Sequence, residues 1–156
     1  MGSRLGERAL NRALLDRQLL LERSTMPALD AIEHLVGLQS QNPGPPYIGL
    51  WTRLAGFRPD QLAQLITDRK AVRLSLMRGT VHLVSARDSL VLRPWLRPLY
   101  DRLLFAEVNL GPGATGQDVD EVIEAGRALL AEASRTPKQL GEGLQQCWPD
   151  RQAAGL

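Results

Sequence analysis

One stretch of alternating apolar and polar residues, in a chain that otherwise has helical periodicity, constrains the possible folds most strongly. Val72, Leu74 and Leu76 alternate with polar residues, and the alternation resumes at Val81 after Gly79. A two-residue period is typical of strands that bury one face, and glycine permits the positive backbone angles of a tight hairpin turn. The sequence therefore predicts an antiparallel β-ribbon with its turn near Gly79.

Helices are predicted on both sides of this ribbon. Before it, helical spacing of apolar residues and helix-breaking prolines predict helices over about 5–22, 27–41 and 47–54, and a further helix from Pro59. After it, Ser85 and Asp88 have the spacing of a helix N-cap, and Thr136 to Gln139 form a capping box. A helix is also predicted from Asp118. The apolar side chains of these helices are expected to be buried: Leu10, Leu14 and Leu21 on one stripe, Trp51, Trp95, and Cys147 near the end of the last helix.

Length and composition limit the class of protein. The 156 residues are about one ordinary domain's worth of chain, and the 44% hydrophobic and 23% charged shares are those of a globular protein. The single cysteine excludes an internal disulfide. Because the chain has only two histidines in addition to this cysteine, we predict no metal site, and we predict no cofactor. No stretch approaches the roughly 18 apolar residues that span a bilayer, and no signal peptide is evident, which predicts a cytoplasmic protein.

The net charge of +2 hides a segregation of charge along the chain. Residues 69–102 contain eight bases against two acids, whereas residues 103–134 contain six acids against one base. A cluster of bases makes a local positive field, which a polyanion-binding surface requires. The alternative is that helices scatter these charges over different faces, and the sequence leaves both possibilities open.

Helices followed by a short ribbon have the order of a winged helix, a relative of the helix-turn-helix whose recognition helix enters the major groove of DNA. The predicted fold class is therefore mainly α with a short antiparallel β-ribbon. We predict an N-terminal helix over 1–24, a first winged-helix motif with following helices over 25–110, and the truncated beginning of a second winged-helix motif over 117–156. The glycine-rich residues 111–116 are the predicted linker.

Three segments carry a resemblance to a known family. They are Arg17–Leu20 in the first helix, Leu35–Gln41 at the end of the second, and Met77–Val84 in the ribbon. In residues, order and spacing they resemble the AlkZ/YcaQ-type winged-helix DNA glycosylases, whose members are much longer. The resemblance implies that this chain holds the first winged helix and the opening of the second.

The resemblance also implies a function. Proteins of this family remove N7-alkylated purines and unhook interstrand crosslinks, with a Gln-x-Gln or Gln-x-Asp motif in the active site. The matching residues here are Gln39 and Gln41, which are the implied catalytic residues. The implied contacts to double-stranded DNA that carries alkylated purines are Arg73, Arg78, Thr80, His82 and Tyr47. No cofactor is implied.

The chemistry of such a lesion suits an uncharged amide pair. Alkylation at purine N7 already gives the leaving base a positive charge, so the enzyme needs no strong acid. A glutamine carbonyl orients water, and its dipole faces the developing oxocarbenium charge. We assign water positioning to Gln41, and contact with the nucleotide or with the second face of the water to Gln39. The two side chains point the same way only on an extended segment, since residues two apart on a helix diverge by roughly 200°.

Other interpretations of these residues stay open. Two glutamines at the end of a helix are ordinarily solvated, and His82 then only satisfies a neighbouring backbone group. The chain is in that case a non-catalytic winged-helix DNA-binding protein, like a transcription regulator, or a module whose wing contacts another protein. Salt dependence distinguishes DNA from a protein partner, because each phosphate contact adds about 0.9 to the slope of log affinity against log salt.

Overall fold

The structure is a computed structural model that describes residues 6–104 and 119–149. These residues form eight α-helices and one small antiparallel sheet, so the predicted fold class is confirmed. In chain order the elements are α1 (Glu7–Arg17), α2 (Ala28–His34), β1 (Leu38–Gln39), α3 (Pro45–Arg53), α4 (Pro59–Thr67), β2 (Ala71–Ser75), a 3-10 turn (Met77–Gly79), β3 (Val81–Ser85), α5 (Ala86–Trp95), α6 (Arg97–Leu104), α7 (Val119–Glu132) and α8 (Pro137–Cys147).

The predicted ribbon is formed by β2 and β3. The two strands pair antiparallel, with Leu74 opposite His82. At the tip, Arg78 and Gly79 have φ angles of 57° and 70°, and the Thr80 amide donates to a backbone carbonyl across the turn. Two successive positive φ angles are the requirement of a type I′ hairpin turn, whose twist matches that of the strands. The turn lies where the sequence predicts it.

A third strand, which the sequence did not predict, lies on the other side of β3. Strand β1 pairs antiparallel with β3, with Leu38 opposite Leu83 and Gln39 opposite His82, and the sheet order is β1-β3-β2. The predicted helix over 27–41 was therefore wrong in its second half. Helix α2 ends at His34, and an extended segment follows.

The chain leaves α2 through a Schellman motif. The amide of Gly37 donates to the carbonyl of Ile32 at 2.9 Å. Val36 takes a φ of 55°, which is rare for a β-branched residue. Glycine is required at the next position because a Cβ on Gly37 would lie 2.9 Å from the carbonyl oxygen of Leu83 and 2.6 Å from a methyl group of Val84. This close approach of backbones lets β1 begin beside β3.

The core lies between the sheet and the three helices α2, α3 and α4. Its central side chains have no exposed surface: Ile32, Leu50, Leu62 and Leu83. Burial of one such side chain contributes about 1.5–3 kcal/mol to folding. Leu83 reaches this core from the centre of the sheet, so the face of β3 that carries Leu83 is the core face and His82 lies on the opposite face.

Several apolar side chains expected in the core are exposed instead. Helix α1 is shorter than predicted and none of its residues is buried; Leu10 and Leu14 are 53% and 60% exposed. Trp51 and Trp95 are 58% and 80% exposed. The prediction was wrong because periodicity shows only which face of a helix is apolar, and whether that face meets another element depends on the tertiary arrangement.

The chain divides into two compact units between Arg97 and Pro98. In the second unit α7 packs against α8, and a Cβ on Gly143 would lie 3.0 Å from Leu129. The capping box at the start of α8 is confirmed, because the Gln139 amide donates to Thr136 Oγ1 and the Thr136 amide donates back to Gln139 Oε1. Cys147 is exposed rather than buried. The predicted linker over 111–116 and the start of the helix at Asp118 lie outside the described residues.

Within the described ranges, no helix is long and apolar enough to cross a membrane. In the same ranges, no group of three or more histidine, cysteine or carboxylate side chains is arranged to hold a metal ion.

Candidate functional site

Gln39 and Gln41 lie outside any helix, at the end of the short strand β1. Gln39 is the register partner of His82, and directly opposed residues of an antiparallel pair project from the same face of the sheet. Gln39 is exposed, and its amide makes no hydrogen bond to the described part of the chain. Both the carbonyl oxygen and the amino group of Gln39 are therefore available to a ligand or to water.

Gln41 is held by the neighbouring strand. The backbone amide of Val81 donates to Gln41 Oε1 at 3.2 Å. Because a backbone N–H only donates, the carbonyl end of the side chain must face Val81, and this assigns the orientation of the amide. One carbonyl lone pair and the amino group of Gln41 remain for other partners. The two glutamines thus differ, since one amide is fixed and the other is unbound.

Ser40, between the two glutamines, has no exposed surface. Its amide donates to the carbonyl of Val81 at 2.8 Å. Arg73 Nε donates to Ser40 Oγ and Arg73 Nη2 donates to the Ser40 carbonyl oxygen, both at 2.8 Å. Since Arg73 is on β2 and Ser40 follows β1, the arginine side chain crosses the central strand β3. The structure therefore brings Arg73 to the glutamine segment itself.

His82 is 5% exposed and lies between Gln39 and Leu74 on the face opposite the core. Its Nδ1 lies 2.9 Å from the carbonyl oxygen of Thr80. A carbonyl oxygen only accepts, so Nδ1 carries the hydrogen and Nε2 is the acceptor in the neutral ring. Nε2 makes no hydrogen bond within the described residues. This tautomer leaves a lone pair on the same face of the sheet as Gln39.

The remaining predicted contact residues lie at different distances from solvent. Arg78 is exposed at the ribbon tip, and its guanidinium forms no ion pair or hydrogen bond within the described ranges. Thr80 is half-buried, and its hydroxyl donates to the carbonyl of Met77 at 3.2 Å. Tyr47 is half-buried and packs against the core rather than standing free. Arg78 is thus the most accessible of these three residues.

The basic segment around the ribbon is partly neutralised. Arg87 pairs with Glu33 at 2.9 Å, and Lys70 lies 3.9 Å from Asp68. Arg69 is exposed, and its guanidinium forms no ion pair or hydrogen bond within the described residues. Ion pairs therefore reduce the predicted positive field at Arg87 and Lys70. Within the described residues no ion pair opposes it at Arg69 or at Arg78 on the ribbon tip.

The sequence did not indicate the roles of two further arginines. Arg23 donates to the carbonyl of Trp51, and its guanidinium lies 5.1 Å from the centre of the Trp51 ring. Arg53 donates to the carbonyls of Gln18 and Gly49 at 2.8 and 2.9 Å, and partial burial lowers the pKa of its guanidinium. No short-range pattern connects Arg23 with Trp51 or Arg53 with Gln18, which are 28 and 35 residues apart.

A cleft of about 490 Å³ lies away from the glutamines, along α1 and the segment after it. It is lined by Arg12, Asp16, Leu19, Leu21 and Glu22. Because the side chains that line this cleft carry charges of both signs, the cleft favours neither anionic nor cationic ligands. The glutamine segment, by contrast, is an open edge of the sheet, because Gln39 and Gln41 are both exposed.

Comparison with known proteins agrees with this architecture. The family model of AlkZ-like DNA glycosylases matches residues 32–156. The solved structure of the Streptomyces sahachiroi DNA glycosylase AlkZ is similar in fold, with a TM-score of 0.66 and 24% sequence identity. The alignment covers 85% of this chain and 35% of that one, so the chain spans about a third of the length of that protein. No curated protein sequence matches the chain.

Proposed function

Because the chain belongs to the AlkZ-like DNA glycosylase family, we propose that it forms the part of a DNA-repair glycosylase that hydrolyses the N-glycosidic bond of N7-alkylated purines. The observation that supports this proposal is that Gln39, at the end of β1, and Gln41, in the bend that follows Ser40, both lie outside any helix and are exposed at one end of the sheet edge. On one regular helix, two residues at this spacing would point in directions roughly 200° apart.

The proposed reaction does not require these residues to act as strong acids or bases. An N7-alkylated purine is already cationic, so it departs without being protonated by the enzyme. The enzyme has to position a water near the anomeric carbon and stabilise the positive charge that develops on the sugar. An amide carbonyl does both, because it accepts a hydrogen bond from water and turns the negative end of its dipole to the oxocarbenium ion.

The two glutamines are suited to different parts of this task. Gln41 is held by Val81, and a group that is already oriented loses little freedom when the transition state forms. Its remaining carbonyl lone pair is assigned to the attacking water. The unbound Gln39 adapts to the nucleotide or to the second face of the water. His82, with its free Nε2 beside Gln39, is assigned to the same site as a hydrogen-bond partner.

Two of the proposed DNA contacts, Arg78 and Thr80, lie at the tip of the ribbon, and the third, Tyr47, lies on α3. Arg78 at the tip is assigned to a phosphate, with Thr80 beside it, and Tyr47 to the edge of the site. A purine crosslinked to the opposite strand cannot rotate fully into a deep pocket, so an open site is compatible with crosslink unhooking. The exposure of both glutamines favours such a substrate.

Substitution of Gln39 tests this function. We expect Gln39→Ala to lower the single-turnover release of N7-methylguanine from alkylated duplex DNA by about 100-fold, the typical loss for one oriented polar group. Duplex affinity should change by less than about twofold, because Gln39 carries no charge. Gln64→Ala, which removes an exposed glutamine on α4, is the matched control and should retain full activity. Tight duplex binding without base release in the wild type would instead identify a non-catalytic winged-helix protein.

A further inference from the structure

Arg73 makes a two-point contact with a single buried residue. Its Nε and Nη2 atoms donate to the hydroxyl and the carbonyl of Ser40, each at 2.8 Å. Ser40 has no exposed surface, and its hydroxyl lies 3.4 Å from the carbonyl oxygen of Asn42, to which it donates. The guanidinium therefore holds both the side chain and the backbone of the residue between the two glutamines.

This contact changes the hydrogen bonding at the end of the sheet. In a regular antiparallel pair, two hydrogen-bonded residues exchange both of their N–H···O bonds. Ser40 donates to the Val81 carbonyl, but the return bond from the Val81 amide goes to Gln41 Oε1. The Ser40 carbonyl, which would otherwise accept that bond, is occupied by Arg73. At this point of the sheet, Arg73 is thus the donor to the Ser40 carbonyl, and the Val81 amide binds the side chain of Gln41 instead.

We propose that Arg73 is a positioning residue of the glycosylase site, which holds Ser40 so that the Gln41 amide is turned to Val81 and Gln39 stays beside it. The proposal rests on the proposed function. It differs from a role for Arg73 as a phosphate contact, because the two N–H groups that bind Ser40 are directed at the protein and not at DNA. Arg73 acts through Ser40 and touches neither the base nor the sugar.

The planar shape of the guanidinium group suits Arg73 to this positioning role. Arginine presents its donors in a planar fork, so one side chain reaches the two Ser40 oxygens at once with fixed geometry. Lysine supplies the same charge as a single flexible ammonium and does not reproduce both bonds in one plane. A positioning role therefore depends on the fork, whereas a phosphate contact depends mainly on the charge.

Arg73→Lys and Arg73→Gln separate these roles. We expect both variants to lower the single-turnover rate of base release by about 100-fold, because a displaced catalytic amide loses its near-attack geometry. The KM for alkylated duplex should stay within about twofold, and the slope of log affinity against log salt should not change. Arg127→Gln removes one exposed charge on α7 without touching Ser40, and is the control that should keep the wild-type rate.

A second measurement does not depend on activity. Amide hydrogen exchange at Val81 reports the bond to Gln41, and we expect its protection to fall about tenfold or more in Arg73→Gln. Ser40→Ala provides a milder variant, since it removes the hydroxyl acceptor and keeps the carbonyl bond to Arg73. It should give a smaller loss of rate, and in the Arg73→Gln background it should add little.

Two results would overturn the proposal. One is an Arg73→Lys variant with the wild-type rate, because charge alone would then suffice. The other is a salt slope lowered by about 0.9 in Arg73→Gln, which is the signature of a lost phosphate contact. If the wild-type chain releases no alkylated base, the proposed function fails by itself. The exchange rate at Val81 then still decides whether Arg73 holds the segment.

Discussion

The two edges of the central strand β3 are built on different principles. On one side β2 forms a regular ladder of five register pairs, from Ala71 opposite Ser85 to Ser75 opposite Val81. On the other side β1 contributes two pairs; beyond them the Ser40 amide still donates to the Val81 carbonyl, but side chains of Arg73 and Gln41 take the other two bonds. The regular edge stabilises the sheet, and the irregular edge carries the candidate site. A short strand therefore leaves backbone groups free to bind side chains, and these bonds orient functional residues.

Among the variants that test this comparison, Gly37→Ala, at the entry to β1, should lower the free energy of unfolding the most. A Cβ there would lie 2.9 Å from the Leu83 carbonyl oxygen at a φ of 107°, so the strand must move away from β3. We expect the free energy of unfolding to fall by about 3 kcal/mol, since strain and a backbone clash add. Urea denaturation measures this change.

Gly56→Ala is the matched control for that substitution. Gly56 also has a positive φ, of 75°, but nothing lies within 4 Å of its Cβ position. Only the conformational strain remains, at about 1 kcal/mol. Equal losses in the two variants would show that the approach of Gly37 to β3 is not what holds β1 in place.

An intermediate effect on the free energy of unfolding is expected from alanine substitution of the two serines that lie opposite Val81, one on each side of β3. Ser40 binds Val81 on the β1 side and is fully buried, whereas Ser75 is the register partner of Val81 on the β2 side and is exposed. Ser40→Ala should lower the free energy of unfolding by about 1–2 kcal/mol, because buried hydrogen bonds to Arg73 and Asn42 are lost. Ser75→Ala should change it by less than about 0.5 kcal/mol.

Thermal unfolding of the two alanine variants checks this contrast. If Ser75→Ala proved as destabilising as Ser40→Ala, the side-chain bonds at the β1 edge would carry no special weight, and the two edges of β3 would be equivalent.

The smallest effect concerns the turn that joins β2 and β3. Arg78 has a φ of 57°, which an arginine adopts with some strain, and asparagine is the favoured residue before glycine in such a turn. We expect Arg78→Asn to raise the free energy of unfolding by about 0.5 kcal/mol. In the same variant the salt slope of duplex binding should fall by about 0.9, because one proposed phosphate contact is lost.

Denaturation and salt titration of the Arg78→Asn variant are independent measurements. A more stable protein with an unchanged salt slope would keep the account of the turn and remove Arg78 from the proposed DNA contacts.

The elements that the sequence predicted well are those with local signals. The alternation from Val72 to Leu83 predicted the ribbon, and Ser85 predicted the start of α5, where its hydroxyl accepts from the Asp88 amide at 3.1 Å. Thr136 predicted α8 in the same way. These signals act within a few residues, so no tertiary contact is needed to recognise them.

The errors at helix ends share one cause. Helices α1, α2 and α4 are followed by a residue of positive φ that is not glycine: Leu19, Val36 and Arg69. Glycine is the usual residue at such an end; after α1 none follows, and after α2 it comes one residue later, at Gly37, so the predicted helices ran past both ends. Because α2 ends at His34, Gln39 lies on a strand and Gln41 in the bend after it, rather than both on a helix.

The candidate site was predictable only in part. The resemblance in residues 35–41 and 77–84 indicated the two glutamines and the ribbon. It did not indicate that Ser40 is buried or that Arg73 binds it, since these residues are 33 positions apart. It also did not indicate that Trp51 lies on the surface beneath Arg23. Contacts of this range depend on which elements pack together, and one sequence contains no direct record of that.

The amino-acid sequence alone predicted the local structure of this protein: a ribbon with its turn near Gly79, helices with recognisable caps, and two glutamines at the spacing of a known family. Only the tertiary structure decided that a third strand forms, that Arg73 crosses β3 to Ser40, and that one glutamine is held while the other is unbound. The physical reason is that hydrogen bonds within a turn or a cap are chosen by neighbouring residues. The hydrogen bonds at the edge of a sheet depend on which groups the tertiary structure places next to that edge.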